Sequence, residues 1–189
     1  MRLVLLGPPG AGKGTQAQRL IQRLRLPHIS TGEMLRQAID EGTATGREAK
    51  QYLDSGQLVP GQVMVDLVRQ RLDQSDCAAG FLLDGFPRTV AQADALDAYL
   101  SQRKTPLDAV LEMHVDEDEL LRRLIARGRA DDQPDVIRQR MVAYHEQTTP
   151  VSAYYRQHGL LNTFDALGTP NEVFARLVAA VELAKPRTQ

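Results

Sequence analysis

The chain has 189 residues, of which 42% are hydrophobic and 25% are charged, a composition typical of one compact globular domain. This composition excludes a disordered chain. The formal net charge of −1 excludes the strongly basic proteins that bind nucleic acids or anionic membranes nonspecifically. The single cysteine, Cys77, excludes an intramolecular disulfide and a multi-cysteine zinc site. We therefore expect any phosphate binding to depend on a local group of residues.

Three features of the sequence predict where in the cell the protein is found. The apolar run at the N-terminus is too short for a signal peptide, and it leads into a motif instead of a cleavage site. No segment approaches the roughly 20 apolar residues that a membrane span requires. Because a lone cysteine also fits a reducing compartment, we expect a cytoplasmic protein with no membrane partner.

Short apolar segments alternate with longer amphipathic segments, a pattern typical of a parallel sheet flanked by helices. The segments that predict strands are residues 3–6, 27–30, 81–84, 109–114 and 160–164. Helical periodicity is present at residues 13–25, 63–74, 90–102, 116–127, 134–157 and 170–184. At the start of the fourth of these helices, Asp116 and Glu119 predict a capping box.

Two segments interrupt the alternation. Residues 31–60 contain helical pieces at 32–41 and 46–55 but no strand, which predicts a small helical insert after the second strand. Residues 127–135, RGRADDQPD, are polar and turn-forming, and they predict a short exposed connection between two helices.

The strongest motif is the glycine-rich segment GPPGAGKGT of residues 7–15, which follows a predicted strand and precedes a predicted helix. In such a loop the backbone amides converge on phosphate oxygens, the helix N-terminus adds partial positive charge, and Lys13 adds a full charge. Gly14 stands where most of these loops have Ser or Thr, which argues against a loop hydroxyl as a direct Mg²⁺ ligand. A glycine-rich turn without a ligand is the alternative interpretation.

A second motif begins where the third predicted strand ends in the carboxylate of Asp84. This position lies beside a phosphate loop and is suited to hold Mg²⁺ or its waters, although a strand-end carboxylate can also cap the next turn. In the segment that follows, Gly85 permits close backbone approach, Pro87 makes the turn rigid, and Arg88 is directed at the crevice where open α/β sheets bind ligands.

In this order and spacing, the motifs resemble those of nucleoside monophosphate kinases of the adenylate kinase type over essentially the whole chain. The matching segments are GPPGAGKGT at 7–15, STGEMLR at 30–36, DGFPRT at 84–89 with Gln92 following, RADD at 129–132, and Arg140. The resemblance implies an α/β fold of the P-loop NTPase type, in which helices flank a five-stranded parallel sheet. It implies one kinase domain over residues 1–189, a helical nucleoside-monophosphate-binding insert at 30–59 and a short lid at 127–136. It also implies a cis peptide bond between Phe86 and Pro87.

The resemblance further implies roles for individual residues. Those implied in catalysis are Lys13, Arg88, Arg123, Arg129 and Arg140. Those implied in ATP binding are Gly10, Ala11, Gly12, Lys13, Gly14, Thr15, Arg127 and Gly168. Those implied in AMP binding are Thr31, Arg36, Gln57, Leu58, Val59, Gly85, Phe86, Pro87, Arg88, Gln92, Arg129 and Arg140. The cofactor implied is Mg²⁺, placed by Asp84 through water, with no structural zinc.

The reaction that the resemblance implies is ATP + AMP = 2 ADP, carried out by a monomer whose partners are ATP, AMP and ADP. The Gln92 amide suits the ring nitrogen and amino group of adenine. The related UMP/CMP kinases, which typically carry Asn near the position of Gln92 and Ala at that of Thr31, remain the alternative. A GTPase-type switch is excluded because neither Asn162 nor Asn171 begins an Asn-Lys-x-Asp segment.

The chemistry suits these residue types, since two polyanions must be brought together and their charge neutralised. The acceptor phosphate is itself the nucleophile, so no catalytic His or Glu base is expected. A module that binds nucleotide without turnover would not need the arginines named above. We also expect Asp131 and Asp132 to pair with arginines of the lid or the core and to bias the open and closed states.

Overall fold

The structure is a computed structural model and describes residues 1–129 and 132–184. Its centre is a five-stranded sheet in the order β2-β3-β1-β4-β5, and every neighbouring pair of strands is parallel. The strands are β1 (Arg2–Leu6), β2 (His28–Ser30), β3 (Phe81–Asp84), β4 (Ala109–His114) and β5 (Leu161–Asp165). The predicted five-stranded parallel α/β fold is therefore confirmed.

Helices cover both faces of the sheet. They are α1 (Lys13–Leu24), α2 (Thr31–Asp40), α3 (Ala44–Ser55), α4 (Gly61–Leu72), α5 (Val90–Gln102), α6 (Glu117–Arg127), α7 (Pro134–Ala143), α8 (Thr149–Gln157) and α9 (Pro170–Ala184). Successive strand residues point to opposite faces, so β1 supplies Val4 to a core with α4, α5 and α8, and Leu3 to a core with α1 and α9. Within the described residues, we find no helix that is both long and apolar enough to span a membrane.

The predicted helix at residues 134–157 is interrupted by a π-helical turn, Tyr144–Thr148, between α7 and α8. The physical cause is Pro150, which has no backbone N–H and whose ring would clash with the carbonyl group four residues earlier. Accordingly, the Thr149 N–H donates to the carbonyl oxygen of Tyr144, five residues back.

The predicted capping box at the start of α6 is wrong. Asp116 precedes the helix, but its side chain makes no capping hydrogen bond. Glu119 instead accepts a hydrogen bond from Arg123 Nε at 2.7 Å and lies 3.0 Å from Arg122 Nη2. Two arginines one turn further along the helix attract this carboxylate more strongly than one backbone amide does.

Helices α2 and α3 form the helical part of residues 30–59. Ser30 accepts a hydrogen bond from the Glu33 N–H at the start of α2, and Thr43 accepts one from the Gly46 N–H at the start of α3. The two helices touch at Gly46, where an added Cβ atom would lie 2.0 Å from the Ala38 carbonyl oxygen. That these helices act as the acceptor-binding insert stays a prediction.

Candidate active site

A large open cleft lies at the carboxyl ends of β1 and β3, with a volume of about 1040 Å³ including its mouth. We call it the phosphate cleft. Its walls include the glycine-rich loop, Asp84 and the arginines Arg36, Arg88, Arg123, Arg127, Arg129 and Arg140. The strand order places this cleft where the chain crosses from one side of β1 to the other, the usual ligand position in open α/β sheets. Its charge fits a polyanionic ligand.

The backbone of the glycine-rich loop requires glycine at Gly10. Gly10 has a φ of +86°, and a Cβ atom there would lie 2.9 Å from the Leu120 carbonyl oxygen of α6. Helix α1 begins directly after the loop at Lys13, so its N-terminal amides face the cleft. Nothing lies within 4 Å of a Cβ atom built on Gly14, which leaves space beside the loop for phosphate oxygens.

The Lys13 ammonium group donates hydrogen bonds to the carbonyl oxygens of Gly7 at 2.6 Å and Pro8 at 2.9 Å. Burial lowers the pKa of Lys13 to about 8, and the nearby charges of Arg88 and Arg140 add to this effect against the opposing attraction of Asp84. Near pH 8, about half of the protein molecules therefore carry a neutral Lys13.

Asp84 ends β3, and its side chain is 11% exposed. Burial alone would raise the pKa of Asp84, but the neighbouring His28 and Lys13 outweigh it and hold the pKa below its usual value. His28 Nε2 lies 3.7 Å from Asp84 Oδ2, and the His28 side chain is only 7% exposed. The carboxylate is therefore ionised at neutral pH.

Asp84 suits Mg²⁺ because of the kinds of ligand that this ion takes in nucleotide sites. Mg²⁺ in nucleotide sites is held by one or two carboxylates, substrate phosphates and several waters. An ionised Asp84 on the wall of a cleft lined by the phosphate loop fits that pattern. In residues 1–129 and 132–184, no group of three or more His, Cys, Asp or Glu side chains is arranged to hold a metal without a substrate.

Arg88 is held in place through its backbone and its side chain. Its N–H donates to Gln92 Oε1 at 2.7 Å, and its Nε donates to the Gly85 carbonyl oxygen at 2.8 Å. Burial and the like charges of Arg140 and Arg36 lower the pKa of Arg88, opposed by Asp84. The guanidinium remains charged because an arginine titrates far above neutral pH.

Arg123 is attached to the wall of the phosphate cleft by three contacts. Its Nε binds Glu119, its Nη1 donates to the Ala11 carbonyl oxygen at 3.4 Å, and its Nη2 donates to the Ala166 carbonyl oxygen at 3.1 Å. The neighbouring Arg122 is 74% exposed and binds only the α6 surface in the contacts described. Two adjacent arginines therefore occupy different environments.

Asp132 joins the arginines of the predicted lid, residues 127–136. Arg127 Nε donates to Oδ2 at 2.9 Å and Arg127 Nη2 to Oδ1 at 2.6 Å, while the Arg129 N–H donates to Oδ2 at 3.0 Å. Arg140 Nη1 lies 3.4 Å from Oδ1. Burial would raise the pKa of Asp132, but the contacts with Arg127 and Arg129 outweigh it and lower that pKa. Asp131, expected to act alongside Asp132, lies outside the described residues.

A second, narrower cavity of about 360 Å³ adjoins the phosphate cleft, and we call it the acceptor pocket. Its apolar walls are Leu35, Leu53, Leu58, Val59 and Met64, and its polar groups include Thr31, Gln57 and Gln92. Thr31 Oγ1 donates to the Gly85 carbonyl oxygen at 2.9 Å. Gln92 Oε1 accepts the Arg88 N–H, which fixes the orientation of the amide and leaves its two Nε2 donors and one lone pair of Oε1 for a ligand.

Comparison with known proteins decides the family of the chain. A family model described as adenylate kinase matches residues 5–160. The adenylate kinase of Mycolicibacterium smegmatis is 56% identical over 181 residues, which cover 96% of this chain and 99% of that relative. The adenylate kinases of Mycobacteroides abscessus and Mycobacterium tuberculosis are each 55% identical, with the same coverage. The chain belongs to the adenylate kinase family. The predicted enzyme class, a phosphotransferase, is confirmed.

Most of the residues that the sequence assigned to an adenylate kinase site lie in the two cavities. The phosphate cleft contains Gly10, Gly12, Lys13, Gly14, Thr15, Arg36, Asp84, Gly85, Arg88, Arg123, Arg127, Arg129 and Arg140. The acceptor pocket contains Thr31, Gln57, Leu58, Val59, Gly85, Arg88 and Gln92. Assigning each residue to ATP or to AMP stays a prediction.

The remaining assigned residues lie outside the walls of these two cavities. Ala11 and Phe86 are buried, and the peptide bond between Phe86 and Pro87 is cis, as the resemblance implies. Pro87 faces a third cavity of about 550 Å³ behind Lys13 and Arg88. Gly168 has a φ of +104° in the β5–α9 loop and lines neither cavity.

Sequence reasoning missed several residues of the site. Leu35 and Met64 form apolar walls of the acceptor pocket, and Glu33 lines the phosphate cleft. The signal for Leu35 was its spacing, since it lies one helical turn after Thr31 and so shares a face of α2. No comparable signal exists for Met64, which comes from a different helix.

We expect nucleotide binding above pH 7 to take up a proton at Lys13. Bound phosphate oxygens favour the charged lysine and raise its lowered pKa, so binding at pH 8 should take up about half a proton. The ATP phosphates are already ionised at this pH. Titration calorimetry in buffers of different ionisation enthalpy measures the uptake. Uptake that does not increase between pH 7 and pH 9 would contradict the burial of a partly neutral Lys13.

We expect Asp132→Asn to loosen residues 127–136 of the nucleotide-free protein. The Asp132 side chain is 1% exposed, and losing its charge removes the bidentate pair with Arg127. Tryptic cleavage after Arg127 or Arg129 should become about tenfold faster. The matched control is Asp135→Asn, since Asp135 is 94% exposed and pairs only with the exposed Arg138 in the contacts described. Equal cleavage rates in wild type and Asp132→Asn would show that Asp132 does not hold this segment.

Proposed function

We propose that the protein catalyses reversible transfer of the terminal phosphoryl group of Mg²⁺-bound ATP to AMP, giving two molecules of ADP and balancing the adenine nucleotide pool. The observation that carries the proposal is that the acceptor pocket and the phosphate cleft share Gly32, Gly85 and Arg88. A nucleoside monophosphate with its base in the pocket therefore places its phosphate at Arg88. That phosphate then faces the glycine-rich loop across the cleft.

The residues of the cleft supply charge and orientation. Lys13 exchanges the Gly7 and Pro8 carbonyl oxygens for phosphate oxygens of the donor. Arg88 binds the acceptor phosphate, and Arg123, fixed by Glu119 and two carbonyl groups, supports the transferring group. When bound, Mg²⁺ placed by Asp84 through water neutralises charge on the donor phosphates. The ionised acceptor phosphate attacks directly, so no protein base is needed.

The lid arginines complete this arrangement. Asp132 pairs with Arg127 and lies beside Arg140. Phosphate groups of the bound nucleotide bind the arginines that Asp132 contacts. Arg127, Arg129 and Arg140 are thereby drawn over the cleft and close it. Closure of this kind excludes water, which would otherwise accept the phosphoryl group.

Specificity for adenine follows from the hydrogen bonds of Gln92. Its free Nε2 group is a donor, which matches N1 of adenine, an acceptor. Uracil and guanine present an N–H group at the corresponding edge, so two donors would face each other in a buried pocket. Cytosine presents an acceptor, but its single ring fills less of the apolar slot beside Leu35 and Met64.

The test is a coupled assay with Mg-ATP and separate acceptors: AMP, IMP, GMP, UMP and CMP. IMP has the size of AMP but carries a proton on N1 and an oxygen in place of the 6-amino group, so it tests the edge of the base that faces Gln92. We expect kcat/KM for IMP to lie at least about 10³-fold below that for AMP. Use of IMP or UMP within about tenfold of AMP would contradict the adenine assignment while leaving the fold and the cleft intact.

The proposal includes a monomer that works in the cytoplasm on free nucleotides. Its support is that one chain supplies both cavities and that the lone cysteine suits a reducing compartment. The formal net charge of −1 also argues against a nucleic-acid partner. Light scattering of the active protein at assay concentration tests the oligomeric state.

A further inference from the structure

The peptide units around Arg88 are anchored on both sides by buried side chains. The Arg88 N–H donates to Gln92 Oε1 at 2.7 Å, and the Arg88 carbonyl oxygen accepts a hydrogen bond from Thr148 Oγ1 at 3.0 Å. Thr148 is only 7% exposed. The first anchor belongs to the helix that follows Arg88, whereas the second comes from a segment 60 residues later in the chain. The long-range anchor has no role in the function proposed so far.

Thr148 ends the π-helical turn between α7 and α8. Such turns are frequent at functional sites because the wider hydrogen-bonding pattern redirects side chains. Here α7 carries Arg140, and Arg140, Thr148 and Arg88 all line the third cavity. The hydroxyl of the next residue, Thr149, is exposed and donates only within the turn, to the Tyr144 carbonyl oxygen at 3.4 Å. Thr148 thus connects the Arg88 segment to the helix that carries a second arginine.

Two guanidinium groups directed at one phosphoryl group repel each other until that group is bound. Burial first, and then the like charge of Arg140, lower the pKa of Arg88, and both arginines line the phosphate cleft and the third cavity. The hydrogen bond from Arg88 Nε to the Gly85 carbonyl oxygen orients the side chain, and a fixed backbone keeps that side chain in place against the repulsion. The hydrogen bond from Thr148 fixes the carbonyl end of Arg88, and the bond to Gln92 fixes the amide end.

We propose that Thr148 is a positioning residue, whose hydroxyl group fixes the Arg88 backbone against the α7–α8 turn so that Arg88 and Arg140 meet at the acceptor phosphate. This inference rests on the proposed function, since it gives Arg88 the acceptor phosphate as its ligand. It assigns a role to the π-helical turn and makes Thr148 part of the acceptor side of the reaction, not of the donor side.

The test compares Thr148→Val, which removes the hydroxyl group at nearly constant volume, with Thr148→Ser, which keeps it. We expect Thr148→Val to lower kcat/KM for AMP by about tenfold without changing KM for ATP, and Thr148→Ser to stay within about threefold of wild type. Thr149→Val, at the adjacent first residue of α8, should behave as wild type. If Thr148→Val does not fold, Thr148→Ala supports the same comparison.

A double-mutant cycle separates positioning from a general structural role. In an Arg88→Lys background, Thr148→Val should lower kcat/KM for AMP by less than about threefold, because the group that Thr148 positions is already altered. An equal loss in both backgrounds, or an equal rise of both KM values, would overturn the proposal.

A readout independent of activity is the NMR signal of the Arg88 Nε–H group, which donates to the Gly85 carbonyl oxygen. Arg88→Lys assigns the signal by removing it. Thr148→Val should shift the Arg88 signal and accelerate its exchange, with Arg123 Nε–H as an unaffected reference. An unchanged Arg88 signal would reject the anchor whether or not the protein phosphorylates AMP. If the wild-type protein does not phosphorylate AMP, the proposed function is rejected but the anchor formed by Thr148 is not.

Discussion

Replacing Arg88 with alanine is expected to lower kcat/KM for AMP by about 10² to 10³-fold, the usual cost of removing one charged donor from a preorganised phosphate site. Arg88 lines both cavities, and hydrogen bonds at its N–H, its carbonyl oxygen and its Nε hold it in one conformation. Removing its charge takes away the arginine that lines both cavities and so contacts the acceptor phosphate at their boundary. Initial rates at varied AMP and fixed saturating ATP measure the loss.

The control for this prediction is Arg122→Ala, which also removes one arginine charge. Arg122 is 74% exposed and binds the α6 surface, so its removal should change kcat/KM by less than about twofold. The thermal unfolding midpoint of both variants shows whether the fold is retained. A retained fold with an Arg88→Ala loss below about tenfold would show that the acceptor phosphate does not bind at Arg88.

Replacing Gly46 with alanine is expected to destabilise the α2–α3 pair and to raise KM for AMP about tenfold while leaving KM for ATP unchanged. The added Cβ atom would lie 2.0 Å from the Ala38 carbonyl oxygen and 2.6 Å from the Ile39 nitrogen, so the two helices must separate. Helix α2 carries Thr31, Leu35 and Arg36, whose positions depend on that packing. Thermal unfolding together with the two KM values measures the effect.

The control is Gly61→Ala, at the first residue of α4, where nothing lies within 4 Å of an added Cβ atom. This change should keep or slightly raise stability, by up to about 1 kcal/mol, because alanine restricts the unfolded chain more than glycine does. If Gly46→Ala and Gly61→Ala have the same unfolding midpoint and the same KM for AMP, close contact between α2 and α3 does not support the acceptor pocket.

Features that depend on nearby residues were predictable from the sequence. The phosphate loop is a strand, a glycine-rich turn and a helix in immediate succession, so residues 7–15 define it without reference to the rest of the chain. The buried strands were also predictable, since Phe81–Asp84 and Ala109–His114 are apolar runs bounded by turns. The family resemblance then supplied the cis bond before Pro87, for which no local pattern exists.

Features that depend on the relative position of distant segments were not predictable. The contact of Gly46 with Ala38 requires the angle between two helices, and the hydrogen bond from Thr148 to Arg88 requires the path of the chain after the lid. The sequence indicated that Gln92 would read adenine with both its donor and its acceptor. The structure adds a contact that the sequence did not indicate, because the turn before α5 directs the Arg88 N–H onto Gln92 Oε1, and the contacts of Gln92 with adenine stay a prediction.

Asp132 illustrates an intermediate case. The sequence predicted that this carboxylate pairs with arginines of the lid or core, and its contacts with Arg127 and Arg140 confirm the pairing. The sequence did not indicate that the side chain is almost fully buried, at 1% exposure. Burial results from arginines on both α6 and α7 converging on one carboxylate, which only the tertiary fold produces.

The destination of the terminal phosphoryl group of ATP is the most direct test of the proposed reaction. ATP labelled with ³²P in its γ-phosphate is incubated with Mg²⁺, AMP and the enzyme, and the labelled products are separated. The label should appear in the β-phosphate of ADP, and two ADP molecules should form for each ATP consumed. Label that accumulates as inorganic phosphate while AMP remains unchanged would contradict transfer to a nucleotide acceptor in this cleft.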